Sequence, residues 1–154
     1  MQGLAKPRGF TDKASWRSFG ALEQLMRQHL GLTTLVVRDY DEALAFYVGK
    51  LGFELREDTP LSSEKRWVVV APPGGVESGI LLAKAANARQ AEAIGNQSGG
   101  RVFLFLVTDN FHRDHERFLQ QGVKFVETPR RESYGTVAVF EDLYGNRWDL
   151  IEYK

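Results

Sequence analysis

The sequence predicts an α+β protein in which two tandem βαβββ modules form a cupped mixed sheet, and three observations carry that expectation. The chain repeats itself 70 residues on: Val37 and Asp39 in LVVRDY recur as Val107 and Asp109 in FLVTDN. Gly52 and Phe53 recur in the same way as Gly122 and Val123, and Trp67, Val69 and Gly75 as Val137, Val139 and Gly145. Each copy reads as a strand, a helix and several further strands, a unit too small to bury both faces of its own sheet. Between the copies runs a polar, small-residue stretch, KAANARQAEAIGNQSGG. Two such units make a pseudo-twofold protein with a ligand pocket between curved sheets.

Composition narrows the function classes. At 154 residues the chain has room for one domain with an ordinary core. Lys plus Arg and Asp plus Glu balance at 20 each, so no net field draws in nucleic acid or an anionic membrane, and neither is expected as a partner. The absence of cysteine excludes disulfides, thiolate metal sites and a cysteine nucleophile. No apolar run approaches the roughly 20 residues that span a bilayer, and MQGLAKPRGFTDKASW holds no apolar signal core. A cytoplasmic protein is the expectation.

Residues 1–30 stand outside the repeat as an N-terminal extension. Trp16, Phe19, Leu22, Leu25, Met26 and Leu30 have helical spacing. Such a helix would pack on the domain or on a second subunit, unless Met26 is the natural start. The first module, residues 31–84, opens with the strand Leu32–Val37, rich in strand-favouring residues. Asp39 followed by Glu42 reads as a capping box that starts a helix, whose apolar face is Ala43, Leu44, Phe46, Tyr47 and Leu51. Gly52 ends that helix. Strands are expected at Phe53–Arg56, Arg66–Ala71 and Gly79–Ala83, the last two joined by PPGG. Residues 85–99 are the linker. The second module, residues 100–153, repeats the order: strand Arg101–Val107, Asp109 as cap, a helix to about Gln121, and Gly122 as the stop. Strands Val123–Glu127, Thr136–Phe140 and Arg147–Glu152 follow, the last two separated by the turn DLYGN. PRRE at 129–132 reads as a solvated loop.

LVVRDYDEALAFYVGKLGFEL, with VFEDLYGNRWDLIEY closing the chain, resembles the vicinal oxygen chelate superfamily over residues 31–153. That superfamily contains glyoxalases, bleomycin- and fosfomycin-resistance proteins, epimerases and extradiol dioxygenases. The resemblance implies the glyoxalase/bleomycin resistance/dihydroxybiphenyl dioxygenase-like fold as a single domain. It does not imply one reaction, because members share a fold and not a chemistry.

The resemblance also implies where a divalent metal would be held, by one side chain from the first and one from the last strand of each module. Those positions are Leu32, Gly79–Leu81, Val102 and Asp149. Only Asp149 can ligate, so no metal site is expected and no cofactor; a divalent metal is the alternative. His112 and His115 lie on the second helix, outside the cup, and read as solvated surface.

Strand alternation phased on Asp149 points a mostly apolar set into the cup. It includes Thr34, Arg66, Val68, Val70, Leu104, Leu106, Thr136, Ala138, Phe140, Arg147 and Asp149. The opposite set, with Leu35, Val37, Trp67, Val69, Phe103, Phe105, Val137, Val139, Trp148 and Leu150, is expected under the helices. From the inward set, Thr34, Arg66, Val68, Leu104, Thr136, Phe140, Arg147 and Asp149 are the expected ligand contacts, with Tyr134 at the rim. A carboxylate in an apolar cup is costly unless paired. Asp149 therefore either pairs with Arg66 or Arg147, meets a cationic or hydroxylated ligand, or serves as a base, which makes it the best catalytic candidate.

Three functions remain open. One is a binder of an apolar or aromatic small molecule, as a homodimer; this is the expectation. The others are a metal-dependent lyase, isomerase or dioxygenase of the glyoxalase type, and a protein-interaction module with a filled cup.

Overall fold

The computed structural model describes residues 28–154. The helix expected in the N-terminal extension falls on residues outside the described ones, and residues 28–31 form no regular element. The chain then runs β1 (Leu32–Val37), α1 (Tyr40–Tyr47), β2 (Glu54–Pro60), β3 (Arg66–Ala71) and β4 (Gly79–Lys84). A one-turn helix α2 (Ala88–Ala91) follows, and then β5 (Val102–Val107), α3 (Phe111–Gln120), β6 (Lys124–Phe125), β7 (Arg130–Glu132), β8 (Gly135–Glu141) and β9 (Arg147–Tyr153). The strands form a four-stranded sheet, β1-β4-β3-β2, and a five-stranded sheet, β5-β9-β8-β6, with β7 also on β8. The α+β class and the paired cupped modules are those expected. β7 is a correction: PRRE is a strand, its Arg130 in register with Val137, and not a free loop.

In each sheet the first strand runs parallel to the last while the others pair antiparallel, so one helix crosses each sheet. α1 starts where Asp39 accepts hydrogen bonds from the Asp41 and Glu42 amides. The capping box is only half made, since the Glu42 carboxylate turns to Arg38 and to the Tyr144 hydroxyl. α3 differs from the sequence expectation: Asn110, not Asp109, is the cap, accepting from the Arg113 amide at 3.0 Å. Asp109 instead pairs with Arg113.

The one-residue shift has a visible cause. Val102 pairs with Arg147 and Leu104 with Trp148, so two residues of β5 oppose one of β9 and Phe103 is a bulge. The extra residue delays the second helix by one position. Gly52 and Gly122, both at positive φ, nonetheless keep their repeat spacing.

The helix-side faces of both sheets belong to one core. Tyr47, Phe53 and Trp148 meet across the modules, with the Tyr47 and Phe53 rings 5.9 and 6.1 Å from Trp148, and Phe140 stacks on Trp148 at 5.9 Å. Such pairs add about 0.5–1.5 kcal/mol each beyond area burial. The linker is ordered as well. Gln97 accepts a hydrogen bond from the Val36 amide on the outer edge of β1, and its own amide donates to Asn146 in the second module.

Candidate ligand-binding site

Register decides which side chains face the cup. In the first module Thr34 pairs with Leu81 and Val36 with Ala83, while Leu35 and Leu82, on the opposite side, are fully buried in the core. Val69 pairs with Leu81, which sets Val69 and Trp67 on the open face and Val68 and Val70 in the core. In the second module Phe105 and Val139 both pair with Asp149, and Val107 and Val137 with Ile151. These are the open face. Ala138, Phe140, Trp148 and Leu150 are core.

Of the expected contacts, Thr34, Arg147 and Asp149 lie on the open face, and Tyr134 is an exposed turn residue beside β8. Five do not. Val68 and Phe140 are core residues, and Leu104 packs against that core. Thr136 pairs with Glu152, whose carboxylate accepts from the Phe111 amide at the start of α3. Arg66 sits on the helix side, bonded to Asp58 and to Asp41 and placed over the Tyr40 ring. Val70, Leu106 and Ala138 lie on the core side with them, by the same registers. The residues missed are Trp67, Val69, Phe105, Val107, Val137 and Val139. RWVVVA and TVAVF are apolar at both parities, so alternation within them carries no information about facing. The β5 bulge reverses the phase after Val102, and a one-residue slip moves every later side chain to the other face.

The open face of the second module borders a cavity of about 480 Å³ lined by Phe105, Val126, Val139, Asp149 and the rim residues Arg101 and Arg147. Phe105 and Val107 are 60% and 58% exposed, and Leu32 on the first module's face is 44% exposed. Large hydrocarbon side chains left open on a concave surface mark a binding surface.

Asp149 has neither arginine partner expected of it. Arg66 is bonded to Asp58 and Asp41, and among the described residues Arg147 reaches only the Gly100 carbonyl, at 3.5 Å. Asp149 Oδ1 is buried without a hydrogen-bond partner among the described residues. Burial raises the Asp149 carboxyl above the ordinary carboxylate range, opposed by the Arg130 charge and reinforced by Glu127. Arg130 is itself held by Glu127 and Glu132.

The four positions where a divalent metal would be expected do not fit one. Leu32, Gly79 and Val102 offer no donor atom beside Asp149, and the described residues contain no group of three His, Cys, Asp or Glu able to hold an ion. His115 is not plain surface, a further correction: it lies between Phe111 and Phe125, 5.3 and 4.2 Å away, and burial lowers its pKa, helped by His112.

Paired βαβββ modules with an apolar cup define a class of small, pseudo-twofold α+β proteins. The model of the Glyoxalase/Bleomycin resistance protein/Dioxygenase superfamily matches residues 29–150, and the chain belongs to that superfamily. It is similar to an uncharacterised protein of Shewanella frigidimarina (strain NCIMB 400), 57% identical over 128 residues that make up 82% of this chain and 95% of that one. Among solved structures it is similar to UcmS2, at 36% identity and TM-score 0.72, over 82% of this chain and 98% of that one. It is also similar to TnmS3, an antibiotic-binding protein from Streptomyces sp. CB03234, at 29% identity and TM-score 0.67, over 83% and 98% of the two chains. No helix among the described residues is long and apolar enough to cross a membrane.

Proposed function

We propose that this chain is a small-molecule-binding protein that holds an apolar or aromatic ligand against the open sheet faces, in the cytoplasm and without a metal ion. The observation that carries the reading is the exposed hydrocarbon surface of Phe105 and Val107, with half-buried Val139 beside them, around the Asp149 carboxylate. The similarity to an antibiotic-binding protein supports it. The hydrocarbon residues at three of the four metal positions favour binding over glyoxalase-type chemistry.

The same surface supports the homodimer. In one chain the helix-side faces of the two sheets share a core, while Leu32, Phe105 and Val107 on the opposite faces stay exposed. A second copy laid against them would bury Leu32, Phe105 and Val107 and turn half-cups into closed pockets. The test is light scattering combined with elemental analysis of protein purified without chelator or tag. A dimer carrying less than about a tenth of an ion per chain, and converted towards monomer by Phe105→Glu, is the expected result. Near-stoichiometric metal lost on Asp149→Ala would restore the metalloenzyme reading. A monomer that binds no aromatic compound would favour a face that serves protein interaction.

A further inference from the structure

From the two polar ends of the second module's cavity we infer the chemical class of the ligand: an aromatic compound with a hydrogen-bond donor at its inner end and an anionic group at its outer end. The inference rests on the reading that the open face is a ligand site. Asp149 Oδ1 is a buried acceptor with no donor among the described residues. A buried polar atom without a partner carries a desolvation cost of about 1–3 kcal/mol, which a ligand hydroxyl or amine would remove. Phe105, in register with Asp149 on the neighbouring strand and largely exposed, offers a ring face next to that acceptor, and Val139 flanks it on the other side. Aromatic rings stack or meet edge to face at such a surface.

The outer end is cationic. Arg147 lies two residues before Asp149 on the same face of β9, about 6.7 Å along the strand, and among the described residues its guanidinium makes only the long contact to the Gly100 carbonyl. Arg101 lines the same rim. The remaining charged groups near the cavity are already matched: Glu127 with Arg130, Arg130 also with Glu132, and Glu141 with Lys124. The strand spacing between Asp149 and Arg147 suits a fused bicyclic ring substituted at both ends. A guanidinium fork binds a carboxylate in bidentate fashion.

Three naphthalenes separate the contributions: 6-hydroxy-2-naphthoate has both groups, 6-methoxy-2-naphthoate lacks the donor, and 2-naphthol lacks the anion. Binding is measured by calorimetry at pH 8 with the full chain, on the wild type and on Asp149→Ala, Arg147→Ala and Phe105→Glu. Far-UV circular dichroism verifies that each variant folds. The expected result is at least tenfold tighter binding of the hydroxy acid than of the methoxy acid, lost in Asp149→Ala. Arg147→Ala should weaken both acids and leave 2-naphthol unchanged. Equal affinities of the two acids for the wild type, with all binding abolished by Phe105→Glu, would overturn the ligand class while the site stands. Binding insensitive to Phe105→Glu, or no binding of any of the three at millimolar concentration, would overturn both.

Discussion

The Tyr47 hydroxyl donates a 2.6 Å hydrogen bond to Asp142 Oδ2, which ties the first module's helix to the turn that leads into the second module's last strand. Both residues are buried, and Asp142 also accepts from the Tyr144 and Asn146 amides and from Asn146 Nδ2. The turn so fixed aims β9, and with it Asp149, at the open face.

Replacing Tyr47 by Phe removes one donor to a buried carboxylate and is expected to cost about 1.5–3 kcal/mol of stability. Asp142→Ala leaves four donors without an acceptor and should cost more. Urea unfolding of the two single variants and the double variant measures the coupling, which should be well above 0.5 kcal/mol for residues in direct contact. Additive losses would show that the bond carries no energy.

Phe140 and Phe105 should behave oppositely. Phe140 is fully buried between Phe118, Phe125 and Trp148, so Phe140→Ala is expected to cost about 3–5 kcal/mol. Phe105 is open, and Phe105→Ala should change the stability of the monomeric chain by less than about 1 kcal/mol while weakening aromatic binding. Denaturation midpoints and a binding titration on the same preparations check both.

Asp149 gives a pH dependence of known sign. Its carboxyl in the folded chain is raised above the ordinary value, first by burial, so the folded state holds the proton more tightly than the unfolded one. That contribution is complete below the ordinary carboxylate value and is lost as pH rises through the folded one. Asp149→Asn does not titrate. Its stability relative to wild type should therefore rise between pH 3 and pH 7, and a difference that falls over that range would contradict the burial.

Gly95 should tolerate no side chain. A Cβ there would lie 2.1 Å from the Tyr144 carbonyl oxygen, on a backbone with φ of +77°. Gly99 has φ of +65° with nothing within 4 Å. Gly99→Ala should cost about 1 kcal/mol of backbone strain. Gly95→Ala should cost clearly more, because the linker must also move away from the β8–β9 turn. Thermal midpoints of the two variants make the comparison.

Much of the architecture was legible in residues. The helix start at Asp39, the stop at Gly122 and the turn before Arg147 each rest on local chemistry that short stretches of chain express by themselves. The first helix, by contrast, ends at Tyr47, capped by Val48, well before the expected stop at Gly52. The facing of candidate residues was legible only where a motif or an unambiguous strand marked it, as at Thr34, Arg147 and Asp149, which lie on the open face. Arg66 shows the opposite case. Its sequence position suited the cup, yet two carboxylates, on α1 and on β2, draw it to the helix side.

By itself, then, the sequence determined the repeat, the order of elements and the hydrocarbon residues at the metal positions, because these depend on local chemistry and on residue identity. Tertiary structure decided which faces of β3, β5 and β8 look into the cup. Strands apolar on both faces carry no alternation signal, so only pairing with β4 and β9, and the extra residue at Phe103, could assign them. It also decided that Asp149 lies beside Phe105 and bonds neither Arg66 nor Arg147, a consequence of register between strands that are more than 40 residues apart in the chain.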